Sequence, residues 1–94
     1  MVKRRNKFEI IFDILNAVRN KGGTIKPTHL LYKSNLSHNM MNEYLGELIG
    51  KDFITEHVDK KNKTFSLTIK GYKYLTEFER VKLFMESFGL DEII

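Results

Sequence analysis

The chain contains no cysteine. That excludes a disulfide framework and any thiolate metal site, and it fits an intracellular protein. No apolar run approaches the ~18 residues of a membrane span. The charged start (Lys3, Arg4, Arg5, Lys7) leads into no uninterrupted apolar segment and no small-residue cleavage site, so no secretory signal is expected. The three histidines, His29, His38 and His57, fall in three separate segments, and no His-x-x-x-His spacing offers a metal two ligands on one helix face. Carboxylates are scattered singly, no glycine-rich loop follows a strand, and no Ser/His/Asp set is apparent. An enzyme, a metal and a cofactor are therefore all unexpected.

What is present is a chain of 94 residues, 41% hydrophobic and 30% charged, enough for one domain with a modest core. Its net charge of +4 is unevenly spread. Residues 1–75 hold 14 Lys/Arg against 7 Asp/Glu, whereas residues 76–94 hold 2 against 5. Basic charge gathered on one part of a small domain is the footprint of a polyanion partner. A lysine-rich solvated surface is the plainer alternative. The first seven residues form a basic arm, whose Arg4 and Arg5 suit phosphate or minor-groove contacts, or merely solubility.

Phe8, Ile11, Phe12, Leu15 and Val18 recur at helical spacing, and Gly22-Gly23 ends that first helix, which is too apolar for anything but the core. Thr24-Ile25-Lys26 is extended, because Pro27 biases Lys26 away from the helical region. Pro27 then suits the first turn of a short second helix running to Ser34. After the break at Asn35-Leu36-Ser37, Ser37 caps a third helix. Met41, Tyr44, Leu45, Leu48 and Ile49 make its apolar stripe, while His38, Asn39, Asn42, Glu43, Gly46 and Glu47 lie opposite. Two short helices joined this way form a helix-turn-helix. Beyond Lys51 the period becomes two: Phe53–Val58 and Thr64–Thr68 read as strands of a hairpin around Asp59-Lys60-Lys61-Asn62-Lys63.

Thr68 is placed to cap a last helix, and Gly71 in its opening turn marks a close backbone approach. Tyr74, Phe78, Val81, Met85 and Phe88 then follow with spacings of four and three, as at the a and d positions of a heptad, with Phe84 beside them. That helix is longer than so small a domain can cover, and aromatics left in water mark an interface. Pairing of two copies through Tyr74, Phe78, Val81, Phe84, Met85 and Phe88 is the expected solution, and folding back on the first helix the alternative. The expected division is an arm at 1–7, a domain at 8–75, and a dimerisation helix with its tail at 76–94.

The order of these elements resembles a winged-helix domain: α+β, mainly α, three helices plus a hairpin wing and a long C-terminal helix. The resemblance rests on Leu31–Ser37, Tyr44–Ile49, Phe53-Ile54 and the Leu-Thr-x-x-Gly-x-x-x-Leu stretch from Leu67 to Leu75. It is most similar to small archaeal winged-helix DNA-binding proteins with a C-terminal coiled-coil helix, among them chromatin proteins and transcriptional regulators. It implies a major-groove face at His38, Asn39, Asn42, Glu43 and Gly46, phosphates near Tyr32 and Lys33, and backbone contacts from Lys60, Lys61 and Lys63. It also implies double-stranded DNA and a second copy as partners, no membrane, and a cytoplasmic, nucleoid-associated location. Two departures stand out. The front of the third helix has Asn42 and Gly46 where lysine is common, which favours base reading, since asparagine suits adenine edges. Asp52 stands where glycine is common, and aspartate tolerates the left-handed conformation. A dimeric regulator, an architectural protein of little sequence preference, and a protein-interaction module remain the three readings.

Overall fold

A computed structural model describes residues 5–90. Helix α1 (Lys7–Asn20) opens on a reciprocal cap: the Asn6 side chain accepts from the Glu9 N–H at 2.8 Å, and the Glu9 carboxylate accepts from the Asn6 N–H at 3.0 Å. Its apolar stripe supplies Ile10, Ile11, Ile14, Leu15 and Val18 to the core. Phe8, counted with that stripe by spacing, is instead 61% exposed. Strand β1 (Thr24–Ile25) and helices α2 (Pro27–Ser34) and α3 (His38–Gly50) follow, then the hairpin β2 (Ile54–Asp59) and β3 (Asn62–Leu67), and last α4 (Ile69–Ser87). The sheet order is β1-β3-β2, antiparallel throughout, with Ile25 opposite Phe65 and Ile54 opposite Leu67.

Three of the four helices end the same way. At α1 the Gly23 and Gly22 N–H groups reach the Val18 and Arg19 carbonyls. Phe53 and Asp52 do the same to Leu48 and Ile49 at α3, and Leu90 and Gly89 to Met85 and Glu86 at α4. This double bond pattern needs a left-handed residue one past the cap. Gly22 and Gly89 fill it at φ 86° and 71°, and Asp52 does so at φ 67°, as its tolerance for that region allows.

The hairpin extends closer to its tip than the polar run 59–63 implied. Asp59 pairs with Asn62, leaving only Lys60 and Lys61 in the turn. Backbone pairing overrides composition once two strands are in register. The outer half of the hairpin leaves the core, so Val58 is exposed although it alternates with buried Ile54.

Thr68 caps α4 by accepting from the Gly71 N–H at 3.0 Å, and its hydroxyl donates to the Asp52 carbonyl at 2.6 Å, with the Phe53 carbonyl alongside at 3.1 Å. The first half of α4 lies along α1. Phe78 stacks on Phe12 with centroids 4.6 Å apart, and Arg19 pairs with Glu79 at 3.1 Å, a bond that holds the Glu79 carboxyl below its usual range. Tyr74 is half-buried between Phe53 and Phe78, and its hydroxyl donates to the Phe8 carbonyl at 2.8 Å. The second half carries no such cover: Val81, Leu83, Phe84 and Phe88 are exposed.

A Cβ on Gly71 would stand 2.5 Å from the Phe53 carbonyl oxygen, which is backbone and cannot step aside. Gly71→Ala should therefore destabilise by about 1–3 kcal/mol, although alanine is the better helix former. Urea unfolding checks this; an unchanged midpoint would remove the close approach. Burial pushes the Tyr74 hydroxyl up to about 12. The proton is thus held more tightly in the folded chain, so stability should be lost as pH rises from about 10 towards 12. Thermal melts across that window should fall less steeply in Tyr74→Phe than in the parent.

Candidate nucleic-acid interface

Helix α3 is set by its two ends. At its N-terminus the Ser37 hydroxyl accepts from the Met40 N–H at 3.2 Å. Asn35 turns the chain from α2 in the left-handed region, φ 54°. Leu36 packs against the core from the middle of the turn. With Met41, Leu45 and Leu48 buried behind, His38, Asn39, Asn42, Glu43 and Gly46 are all exposed along the front. Of the six residues expected opposite the apolar stripe, these five are exposed and Glu47 is half-buried.

Glycine at 46 has no internal explanation. A Cβ there would meet nothing within 4 Å, and the same holds at Gly50 one turn on. Each glycine inside a helix costs roughly 1 kcal/mol relative to alanine, with no packing gain here to offset it. The bare stretch of α3 is therefore not a requirement of the fold.

Glu47, grouped with the front by spacing, is turned sideways. Its Oε2 accepts from Lys7 of α1 at 2.9 Å and from Lys51 at 3.5 Å, and the Lys7 bond holds its carboxyl below the usual range. The front of α3 thus keeps Glu43 as its one carboxylate. Between α3, the start of α2 and the hairpin lies a cleft of about 310 Å³, with Leu31, Leu45 and Phe65 among its lining and Asn42 and Gly46 on the α3 side.

The hairpin places Lys60 and Lys61 at its tip, Lys60 with φ 55°. A non-glycine residue held in that region is uncommon and costs about 1–2 kcal/mol. Lys63, expected beside them, is on β3 instead, paired with Glu56 at 3.0 Å and lying 5.7 Å over the Phe65 ring. Glu56 stands opposite Phe65 and Lys63 opposite Val58, so Lys63 reaches Glu56 diagonally across the strands, and that takes it off the tip. Tyr32, 80% exposed, and Lys33 occupy the last turn of α2. Arg5 serves the fold: its guanidinium pairs with Asp13 at 2.8 Å and donates to the Ser34 and Asn35 carbonyls at 3.0 and 3.1 Å. Those carbonyls end α2 and would otherwise lack partners. Arg4 lies outside the described residues. Of the expected pairing face, Tyr74 and Phe78 are engaged with α1, Met85 is half-buried, and Val81, Phe84 and Phe88 remain open.

A helix-turn-helix followed by a β-hairpin is a winged-helix arrangement. Residues 4–86 match the family model described as winged helix-turn-helix. The chain belongs to that family. An uncharacterized protein of Methanocaldococcus jannaschii is 37% identical over 78 residues, 83% of this winged-helix chain but 34% of the relative, so the chain spans about a third of that protein's length. Among solved structures, Sso10a-2, a DNA-binding protein from Sulfolobus solfataricus, superposes with a TM-score of 0.71 at 24% identity, covering 96% of this chain and 97% of that one. F93 from STIV, a winged-helix DNA-binding protein, gives 0.71 at 18% identity over 83% and 90% of the two chains. These likenesses establish the winged-helix fold.

Among the described residues no three His, Asp or Glu side chains converge in a way that could hold a metal ion. Two residues that shape the cleft beside α3, Glu56 and Lys63, were not singled out as a pair, since their bond depends on the strand register. If Gly46 is kept bare for a partner, Gly46→Ala should raise stability by up to about 1 kcal/mol in thermal unfolding. A loss of stability instead would mean that the fold itself requires the glycine.

Proposed function

We propose that this chain is a double-stranded DNA-binding protein that lays α3 in the major groove, sets the hairpin tip against the neighbouring backbone, and acts as a dimeric transcriptional regulator. The observation that carries the reading is the front of α3: exposed, polar, almost uncharged, and lacking a side chain at Gly46 where none is needed for packing. B-DNA's major groove is about 12 Å wide and admits one helix whose outward residues are short and able to hydrogen-bond. Asn39 and Asn42 suit bidentate contacts to adenine, and His38 stands beside them. The lysines at the hairpin tip supply what the helix front lacks. A lysine stands at position 60 where the backbone is better suited to glycine, which supports a function for the side chain rather than for the turn. Tyr32 and Lys33 lie at the other flank of the helix-turn-helix. That the Sulfolobus and STIV relatives are DNA-binding proteins supports the same reading.

The dimer is proposed through the open half of α4. Val81, Phe84 and Phe88 are 47%, 59% and 65% exposed, and such a run of apolar surface is typical of an interface. Tyr74 and Phe78 would border the pair rather than form its centre, because α1 already covers them.

Selection from a random duplex pool at two salt concentrations tests the whole reading. A motif with two-fold symmetry at both salts is expected. Binding without a motif that collapses as salt rises would identify an architectural protein, and no binding at low salt would move the function to protein partners. Two variants divide the interface. Lys60→Ala with Lys61→Ala should weaken binding to every sequence and flatten the plot of log affinity against log salt by about 0.9 per lost phosphate contact. Asn42→Ala should change the preferred sequence with little effect on that slope; an unaltered motif would remove Asn42 from the reading.

A further inference from the structure

The cleft beside α3 is bordered by the exposed front of that helix, yet it is not built for phosphate. Its α3 wall is made by Asn42, Gly46 and Ile49, at intervals of four and three residues. One side of the helix thus carries an amide, a bare backbone and a branched aliphatic chain in succession. Leu31 of α2 lines the cleft as well. Leu31 and Ile49 are half-buried, so each keeps apolar surface that the core does not cover. The hairpin contributes Glu56 and Lys63. Lys63 carries the one ammonium group in the lining, and it is already paired with Glu56 at 3.0 Å. From His38 to Gly50, moreover, α3 has no arginine or lysine, the residues that make the commonest specific contact to guanine.

A ligand that suits this recess reaches it from the major groove and brings an apolar group small enough to pass a helix without a side chain. Among the four bases only thymine carries an apolar substituent into that groove, its C5 methyl group. We propose that the recess receives a thymine methyl group, seated against Ile49 and Leu31 over the bare backbone of Gly46. The chain then selects A·T pairs, with Asn42 on the same wall taking an adenine edge beside the methyl. This assignment names the base class read by α3 and rests on the DNA-reading function proposed above. A Cβ at Gly46 would meet nothing within the chain; with a base in the groove it would stand in the path of the methyl.

The test is a competition for the full chain between two random duplex pools, one made with thymine and one with uracil throughout. Uracil pairs with adenine as thymine does and lacks only the methyl group. The thymine pool should be favoured about three- to fourfold for each methyl that is seated, the scale of one buried methyl group. Gly46→Ala, which the fold accommodates, should weaken the thymine pool more than the uracil pool and bring the ratio close to one. Ile49→Ala should also lower the ratio, and Ile49→Val should keep most of it. A third pool, with uracil for thymine and 5-methylcytosine for cytosine, moves every methyl group to the G·C pairs and should not regain the lost affinity. Equal binding of the thymine and uracil pools would overturn the proposal while leaving DNA binding intact. So would Gly46→Ala that weakens both pools alike, since the glycine would then admit the duplex as a whole. Full recovery with 5-methylcytosine would overturn the selection of A·T pairs. A chain that binds none of the pools at low salt would lose the DNA-reading function itself, and the recess its ligand with it.

Discussion

The peptide at Asp52–Phe53 holds α3, the hairpin and the last helix in one arrangement. Its N–H groups close the end of α3, its carbonyls receive the Thr68 hydroxyl, the Phe53 carbonyl also accepts the Thr68 N–H at 3.2 Å, and Gly71 packs against it without a side chain. Hydrogen bonds in such a cluster are directional and short, and a methyl group at 71 would drive the layers apart. The direction in which the hairpin leaves α3 is thereby fixed to the axis of α4. A core of aliphatic side chains alone would tolerate several relative orientations; this joint selects one.

On that frame α3 divides its labour by face. The rear is held by buried Met41, Leu45 and Leu48, and the flank by the Lys7–Glu47–Lys51 group. Exposed ion pairs of this kind add little to stability, but they take Glu47 away from the front and so lessen its negative charge. The result is a helix whose outward surface is free of structural duties. At the C-terminal end of α2 the arrangement is reversed: Arg5 has a phosphate-binding type of side chain committed to the carbonyls of Ser34 and Asn35.

Much that depends on neighbours three or four residues away was legible in the chain, though not the Asn6–Glu9 cap, the Glu47–Lys51 pair or the exposure of Phe8. The apolar spacing of the helices, Ser37 and Thr68 as caps, and the paired glycines after α1 all stand where the pattern implied. Even the close approach at Gly71 could be inferred, because glycine in a helix demands a reason. Contacts between distant segments were not legible. Lys7 and Glu47 are 40 residues apart, Arg5 and Ser34 are 29 apart, and nothing local announces either pair. Lys63 left the hairpin tip because strand register, not composition, set the length of the turn.

Because α4 is one uninterrupted helix of 19 residues, it would act as a graduated shaft in the proposed dimer. In a pair joined along its outer half, sliding the partner by one helical turn would carry the second head about 5.4 Å. That is roughly one and a half base-pair steps along B-DNA. The distance between two bound half-sites would then be adjustable by apolar substitutions at 81–88, away from the residues proposed to read bases. Target geometry and base preference could in this way evolve on separate parts of the same short chain.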